Sequence, residues 1–174
     1  MSIVETLKKH DIKSIWHFTD LRNLESIEKY GLLSLREIIR NDIDACFGAD
    51  SLSHNLDIHY GLDKYIHLAF IDDHPMYHKA KNRGSIVYPI WIELDISLLF
   101  DENTIFSNKV ANQSGAKIFT LDDVENMIDF NYMFHRDFWT RVEARKAEIM
   151  VPSKIDTRYI KAIYDDVTGE RYGK

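Results

Sequence analysis

The sequence has 174 residues, of which 45% are hydrophobic and 29% are charged, a composition typical of one compact globular domain. Its single cysteine, Cys46, excludes a disulfide framework and a Cys-rich zinc site, and it predicts a reducing, cytoplasmic compartment. The chain contains no run of about 18 apolar residues that predicts a membrane span, and its first residues are unlike a signal peptide. The net charge of −6 argues against a protein that coats nucleic-acid phosphates with Lys and Arg.

The first half of the chain is predicted to be mostly helical. Apolar spacing predicts three short helices, over Ile3–Lys9, Leu21–Tyr30 and Leu35–Arg40. A strand is predicted over Ile15–Thr19, and Asp20 directly after it is the expected N-cap of the second helix. Gly31 follows where a helix often ends in a left-handed residue. The next twenty or so residues are rich in Asp, Ser and Asn, and they predict a long functional loop.

The second half is richer in strands. β-branched and aromatic residues predict four of them, over Tyr65–Ile71, Ile86–Leu94, Ala147–Val151 and Tyr159–Tyr164. Pro89 inside the second of these runs predicts an edge position or a bulge. A helix is predicted over Leu121–Phe130. Helices early and strands late indicate an α+β fold, and residues 1–174 are expected to form a single domain.

The net charge is unevenly distributed. The segment from Arg40 to Asp73 contains seven acidic residues and two basic ones. Basic residues are concentrated instead near Lys79 to Arg83 and near Arg136 to Lys146. Solvated surface is the simplest interpretation of such clusters. A local basic groove on an acidic protein is the alternative that the sequence leaves open.

Several common kinds of chemistry find little support. His74 and His78 have the i,i+4 spacing of a helical metal pair, but Pro75 disfavours helical geometry at His74 and no third ligand is evident. We therefore expect no metal, and we interpret these histidines as hydrogen-bonded or surface groups. The glycine-rich loops of kinases and Rossmann proteins are absent. Cys46 has no identifiable base that would activate it as a nucleophile.

Two separated segments carry the pattern that remains. His17, Phe18 and Thr19 end a strand directly before a helix, where a helix N-terminus favours an anionic ligand. Glu148 lies in an otherwise apolar run, and alternation puts it on one face with Met150. A carboxylate there either faces solvent or lies in a cleft for chemistry, and the pattern alone leaves both open.

Four blocks of the chain resemble the DarT-type nucleic-acid ADP-ribosyltransferases, which are toxins of a toxin–antitoxin system. The blocks are IWHFTDLRNLESIEKYGLLS (15–34), GLDKYIHLAFIDDHPMYHKA (61–80), FSNKVANQSGAKIF (106–119) and RKAEIMVPSKIDTRYIKAIY (145–164). No single block is specific. Their order and their spread over nearly the whole chain make the resemblance stronger than any one of them.

The resemblance implies an ADP-ribosyltransferase-like split β-sheet core with flanking helices, and NAD as co-substrate without a metal. It implies transfer of ADP-ribose to a base in nucleic acid, and single-stranded DNA is the preferred acceptor over RNA. It also implies that the protein is a toxin of a toxin–antitoxin or phage-defence system. The resemblance implies that Glu148 is the catalytic carboxylate. It also implies that the segment from Ser34 to Asp63 folds over the dinucleotide. The implied NAD contacts are His17, Phe18, Thr19, Ser26 and Ser34.

The chain departs from the family at the arginine expected in the covering segment, because residues 41–63 contain no Arg. Arg40 is our candidate for this catalytic role, with Arg36 or His54 in its place as alternatives. The residues expected to contact the acceptor are Asn108, Lys109, Asn112 and Tyr77. Base stacking on Tyr132, Phe134 or Trp139 is a further hypothesis, and core packing of these rings is the alternative.

The implied partners are single-stranded nucleic acid and a macrodomain-type antitoxin, with no membrane. Two other functions remain open. The same fold can modify RNA, a protein or a small molecule, or hydrolyse NAD. The missing arginine also leaves open a non-catalytic nucleotide-binding module.

Overall fold

The computed structural model describes residues 2–49 and 51–172, in which short helices surround a large sheet. The strands are β1 (Ser14–Asp20), β2 (Leu32–Leu33), β3 (Tyr65–Ala69), β4 (Pro89–Asp95), β5 (Ile105–Ser107), β6 (Ile118–Phe119), β7 (Glu148–Pro152), β8 (Lys154–Ile155), β9 (Ile160–Asp165) and β10 (Arg171–Tyr172). The α-helices are α1 (Ile3–Lys9), α2 (Leu24–Tyr30), α3 (Leu35–Arg40), α4 (Ser51–Tyr60), α5 (Pro75–Asn82), α6 (Val124–Met127), α7 (Phe130–Met133) and α8 (Phe138–Ala144).

Eight of these strands form one sheet in the order β10-β9-β4-β1-β3-β7-β5-β6, and the pairs are antiparallel. Strands β2 and β8 form a separate two-stranded sheet. The core includes alternate residues of β1, β4 and β7, such as Ile15, Ile92 and Ile149, which are fully buried. The predicted α+β architecture is confirmed, and β1, β3 and β7 lie side by side at its centre.

Three helices, α4, α5 and α8, occupy segments for which the sequence predicted none. Helix α4 lies inside the predicted loop, and none of its residues is buried. It therefore lacks the apolar stripe by which a helix is recognised in sequence. In α5, Pro75 is the first helical residue, and His74 is the extended N-cap whose Nδ1 accepts from the Met76 N–H. The proline does keep His74 out of helical geometry, but it starts a helix there.

Two further expectations were wrong in detail. Pro89 does not mark an edge strand, because it is the first residue of β4, which lies between β9 and β1. The pairing of β4 with β9 does have a register shift, but it lies between Glu93 and Leu94 and not at the proline. A proline is tolerated at the first position of an inner strand. The helix predicted over Leu121–Phe130 is divided into a 3-10 turn (Leu121–Asp123), the short α6, and α7. Ile128 takes an extended conformation between α6 and α7, and this interrupts the helix.

No helix within residues 2–49 and 51–172 has both the length and the apolar content needed to cross a membrane.

Gly31 makes a close backbone approach between the two small strands. Its φ is +81°, and a Cβ atom there would lie 2.2 Å from the carbonyl oxygen of Ile155. Gly84 has a similar φ of +76°, but nothing lies within 4 Å of its Cβ position. A substitution at Gly84 therefore tests the left-handed conformation alone, whereas one at Gly31 tests this conformation together with steric crowding.

We predict that Gly84→Ala lowers the free energy of unfolding by about 1 kcal/mol, since only the left-handed conformation is penalised. Gly31→Ala should cost about 1–3 kcal/mol more, because the Ile155 backbone must also move. Urea denaturation of both variants measures the difference. Equal losses in the two variants would contradict the crowding that we assign to Gly31.

Candidate active site

A cavity of about 250 Å³ lies beside the centre of the main sheet. Residues of β1, β3 and β7 line it, among them His17, His67 and Glu148. Residues of the segment 43–49 and of helix α4 also line it, and these include His54 and Asp57. Part of the segment 34–63, for which the resemblance implied a covering role, thus contributes to the wall of the cavity.

The end of β1 contributes three of the predicted NAD contacts. His17, Phe18 and Thr19 all line the cavity. The His17 Nδ1–H donates to the backbone carbonyl of His67 at 3.0 Å. Burial lowers the pKa of His17 to about 4, so its ring is neutral and Nε2 keeps a free lone pair.

Asn23 connects this strand end to the covering segment. Its amide donates to Thr19 Oγ1 at 2.8 Å and to the Cys46 carbonyl at 2.7 Å, and its Oδ1 accepts from the Cys46 N–H at 2.7 Å. The side chain is 9% exposed. These bonds hold residues 43–49 against β1, so Asn23 shapes the cavity although sequence reasoning did not select it as a site residue.

Glu148 is the first residue of β7 and is only 6% exposed. Its Oε2 accepts from the Ala111 N–H at 2.9 Å and pairs with His67 Nδ1 at 3.1 Å. Burial alone would raise the pKa of Glu148, but the adjacent His67 and the Ala111 N–H outweigh burial, so this pKa lies below its ordinary value. The open question from the sequence is therefore answered: this carboxylate lies in a cleft, and it is ionised.

His67 and Asp57 complete the charged end of the cavity. Burial alone would lower the pKa of His67, but the charge and hydrogen bond of Glu148 raise it to about 9. Asp57, on α4, accepts from the Asn112 amide at 2.9 Å. Burial raises the pKa of Asp57, and the negative charge of Asp57 helps to keep the His67 ring protonated. An imidazolium therefore lies close to two carboxylates.

His74, the N-cap of α5, also lines the cavity. It is 3% exposed, and its ring stacks on Phe18 with the centroids 6.2 Å apart. Burial lowers its pKa, so the ring is neutral. Among the described residues, no group of three or more His, Cys, Asp or Glu side chains is arranged to hold a metal ion.

The three candidates for the missing arginine have different positions. Arg40 is 70% exposed, pairs with Glu37 at 3.3 Å and does not line the cavity. Arg36 makes two hydrogen bonds of 2.8 and 2.9 Å to Asp63, which connect α3 to the start of β3. Only His54 lines the cavity, where its ring packs on Phe47 at 4.7 Å. No Arg or Lys is among the lining residues in the part of the chain that the structure describes.

The other predicted site residues divide into those at the cavity and those outside it. Ser26 and Asn112 line the cavity. Ser34 does not: it is 1% exposed, and its Oγ caps α3 by accepting from the Glu37 N–H. Tyr77 is 2% exposed between Phe18 and Trp91, with its hydroxyl bonded to Asp166, so its ring packs inside the protein.

Asn108 and Lys109 stabilise their own loop. The Asn108 Oδ1 accepts from the Lys117 N–H at 2.9 Å, and Lys109 Nζ donates to the Ser114 carbonyl at 3.1 Å. Neither residue lines the cavity. The loop still matters for the site, because residues 110–112 follow directly and Ala111 donates to Glu148.

The aromatic side chains near α7 and α8 form an exposed surface, contrary to the core packing that the sequence left as an alternative. Tyr132, Phe134, Phe138 and Trp139 are between 44% and 72% exposed. Arg141 lies over the Phe138 ring at 5.7 Å, and Arg136 is exposed beside it. We call this group the α7–α8 aromatic surface. Helix α8 leads within four residues to Glu148.

Most bases of the two predicted basic patches bind other groups of the protein. Lys81 pairs with Asp166, Arg83 donates to the Gly48 carbonyl, Arg145 pairs with Asp73, and Lys146 pairs with Glu143. The charges of Lys81, Arg145 and Lys146 are therefore paired with carboxylates. The α7–α8 aromatic surface keeps Arg136 and Arg141 near exposed rings.

Comparison with known proteins identifies the family and the fold. A family model described as ssDNA thymidine ADP-ribosyltransferase, DarT, matches residues 16–166. No curated protein matches the sequence. Solved structures of two relatives share the fold with this chain.

The structure of Thermus sp. 2.9 DarT in complex with ADP-ribosylated ssDNA has a TM-score of 0.71 and 16% identity, over 91% of this chain and 83% of that chain. The same protein in complex with NAD+ has a TM-score of 0.64 and 16% identity, over 90% of this chain and 83% of that chain. Thermosipho africanus DarTG in complex with ADP-ribose has a TM-score of 0.69 and 21% identity, over 88% of this chain. This chain spans only 44% of the length of that DarTG chain.

These structural matches confirm the ADP-ribosyltransferase-like fold that the resemblance implied. The family model covers most of the sequence, so it confirms the resemblance itself. The chain therefore belongs to the DarT family of single-stranded DNA thymidine ADP-ribosyltransferases, a class of enzymes for which NAD is the co-substrate.

Proposed function

We propose that this chain transfers ADP-ribose from NAD to the thymine base of single-stranded DNA, with Glu148 as the catalytic carboxylate. The observation that carries the proposal is the state of Glu148 at the cavity. Both of its hydrogen bonds go to Oε2, and none from the described residues goes to Oε1. Oε1 is therefore available to a ligand. The family assignment supplies the substrate class.

The chemistry needs an ionised carboxylate at this position. The bond between the ribose C1′ and the nicotinamide nitrogen breaks, and its electron pair leaves with nicotinamide. The ribose then develops the positive charge of an oxocarbenium ion, as in glycoside cleavage. A carboxylate that accepts a hydrogen bond from the ribose 2′-hydroxyl stabilises that charge more strongly in the transition state than in the ground state. Glu148 is suited to this role because its partners keep it ionised.

The acceptor completes the reaction by forming a new bond to C1′ and releasing a proton. In thymidine the N1 atom is bound to deoxyribose, so N3 is the only ring nitrogen that carries a proton. A carboxylate whose pKa is raised toward neutral pH is a good base for that proton. Burial raises the pKa of Asp57 above its ordinary value, which makes its carboxylate a stronger base. We therefore propose Asp57 as the group that takes the proton.

NAD recognition in this proposal uses the walls of the cavity. His17, Phe18, Thr19 and Ser26 contact the nucleotide from one side, and His54 contacts it from α4. Within residues 2–49 and 51–172, no Arg or Lys lines the cavity to clamp the pyrophosphate. We therefore propose that His54, rather than Arg40 or Arg36, takes the position of the expected arginine.

The acceptor strand is proposed to lie on the α7–α8 aromatic surface. Exposed rings stack on unpaired bases, and nearby arginines add attraction to phosphates. This geometry agrees with an enzyme that captures one base from a single strand, which needs few phosphate contacts. Binding of this kind is compatible with the net charge of −6, because it does not need a surface that coats many phosphates. Asn112, at the cavity, is proposed to contact the base. Asn108 and Lys109 are proposed to stabilise the loop that presents Ala111 to Glu148.

We also propose that the chain acts as one domain over residues 1–174, in the cytoplasm, as a toxin. The single cysteine supports a reducing compartment. The structural relative named DarTG was solved in complex with ADP-ribose. That chain is more than twice as long as the matched region, so it contains a segment that this chain does not match. A macrodomain-type antitoxin is the partner that we propose for this chain.

We predict that Glu148→Gln lowers kcat for oligonucleotide modification about 1000-fold, because the uncharged amide no longer stabilises the developing positive charge. Mass spectrometry of thymidine-containing single-stranded DNA incubated with NAD measures the adduct of one ADP-ribose. Glu143→Gln is the matched control, since Glu143 is an exposed carboxylate on α8 that pairs with Lys146. It should retain wild-type activity.

Parallel incubations with RNA, and assays for free ADP-ribose, test the alternatives. Modified RNA with unmodified DNA would overturn the proposed acceptor. Free ADP-ribose without labelled nucleic acid would favour NAD hydrolysis. NAD binding without any turnover would favour a non-catalytic nucleotide-binding module.

We predict that Trp139→Ala raises the KM for the oligonucleotide about 10-fold, as expected for the loss of one stacked base. The KM for NAD should stay within about 2-fold, because Trp139 does not line the cavity. Tyr30→Ala is the control, since Tyr30 is an exposed ring at the end of α2. Steady-state kinetics with varied oligonucleotide measures both values. An unchanged oligonucleotide KM in Trp139→Ala would rule out stacking on this ring.

A further inference from the structure

His67 connects two strands at the centre of the cavity. It lies on β3 opposite Met150 of β7, and Ala69 lies opposite Glu148. The side chains of His67 and Glu148 are therefore diagonal neighbours on one face of the sheet. Their ring nitrogen and carboxylate oxygen are 3.1 Å apart, and the exposed fractions of the two side chains are 28% and 8%.

The groups around the His67 ring explain its charge. The Glu148 carboxylate is bonded to Nδ1, a hydrogen bond to the Leu62 backbone favours the protonated form, and Asp57 adds a second negative charge from α4. The remaining titratable neighbours, His17 and His74, are histidines that burial keeps neutral. His67 is consequently a cationic side chain in a cavity whose described lining includes no Arg or Lys, and His54 is a further titratable lining residue, which acts by charge on Asp57.

We propose that His67 is the positioning residue for Glu148: its charged ring holds Oε2, so that the unbonded Oε1 faces the ribose of NAD and the carboxylate stays ionised. The inference rests on the proposed function, which assigns Glu148 its catalytic role. Two donors on one oxygen leave the other oxygen for substrate. The Ala111 N–H is the second donor, and it comes from the backbone. Of these two donors from the described residues, His67 is the side chain, and the positive charge that it adds to its hydrogen bond depends on pH.

This role predicts a specific pH dependence. The pKa of His67 is raised to about 9, so the ring holds Glu148 in its charged form from neutral pH up to that value. Above pH 9 the ring loses its charge and the carboxylate loses its counterion. The rate of NAD cleavage should therefore fall as the pH rises through about 9. A purely structural histidine would give no such alkaline limit.

Nuclear magnetic resonance of the full chain with ¹³C-labelled histidine tests the pairing without any need for activity. His67→Gln assigns the signal. We expect a titration midpoint near pH 9 in the wild type, and a midpoint at least one pH unit lower in Glu148→Gln, where the neighbouring charge is removed. A wild-type midpoint at or below pH 7, or a midpoint that Glu148→Gln leaves unchanged, would overturn the proposal.

Kinetics test the consequence for catalysis. His67→Gln should lower kcat about 10- to 100-fold, the range expected when a reacting group is misplaced by about 1 Å, with the KM for NAD changed less than 3-fold. Its alkaline limit should disappear. His59→Gln is the control, because His59 is an exposed histidine on α4. Wild-type kcat and an unchanged alkaline limit in His67→Gln would contradict the positioning role.

The two experiments separate failure of the inference from failure of the proposed function. An inactive wild type whose His67 titrates near pH 9 would refute the proposed function and leave the ion pair intact. An active wild type whose His67 is neutral at pH 8 would refute the positioning role alone. If His67→Gln folds poorly, the titration midpoint of His67 can still be compared between the wild type and Glu148→Gln, and that comparison decides whether the two side chains form an ion pair.

Discussion

The buried carboxylate of Glu148 is the constraint on which the site depends. An ionised carboxylate at this depth is costly unless hydrogen bonds and an opposite charge compensate it. Both compensating groups come from elements beside β7: His67 from β3, and the Ala111 N–H from the loop after β5. The antiparallel register of β3 with β7 brings the histidine to the carboxylate. A shift of either strand by one residue would move the pair to opposite faces of the sheet.

The acidic stretch between Arg40 and Asp73 has structural uses in this arrangement. Asp63 binds Arg36, Asp73 binds Arg145, and Asp57 faces the cavity. Asn23 joins the same segment to β1. Asp63 thus holds α3 against the start of β3, and Asp57 adds negative charge beside His67. The net charge of −6 therefore excludes a broad phosphate-binding surface, but it agrees with an enzyme that binds a single strand through stacking.

The sequence predicted much of the sheet and part of the site. Alternation correctly put Glu148 and Met150 on one face of β7, because the period of a strand depends only on its backbone. Helix α4 could not be predicted, since it has no buried face. His67 was missed because its partner is 81 residues away, and only the sheet register joins them. Burial of Tyr77 and capping by Ser34 likewise depend on tertiary contacts that no local pattern records.

The ionisation of Glu148 tests this account most directly. Nuclear magnetic resonance of the protein with side-chain ¹³C-labelled glutamate, assigned with Glu148→Gln, follows the protonation of this carboxyl as the pH is lowered. The account predicts a midpoint below the ordinary value of 4.5, because His67 and the Ala111 N–H outweigh burial. A midpoint above about 6, as expected for a buried carboxyl without charged partners, would contradict it.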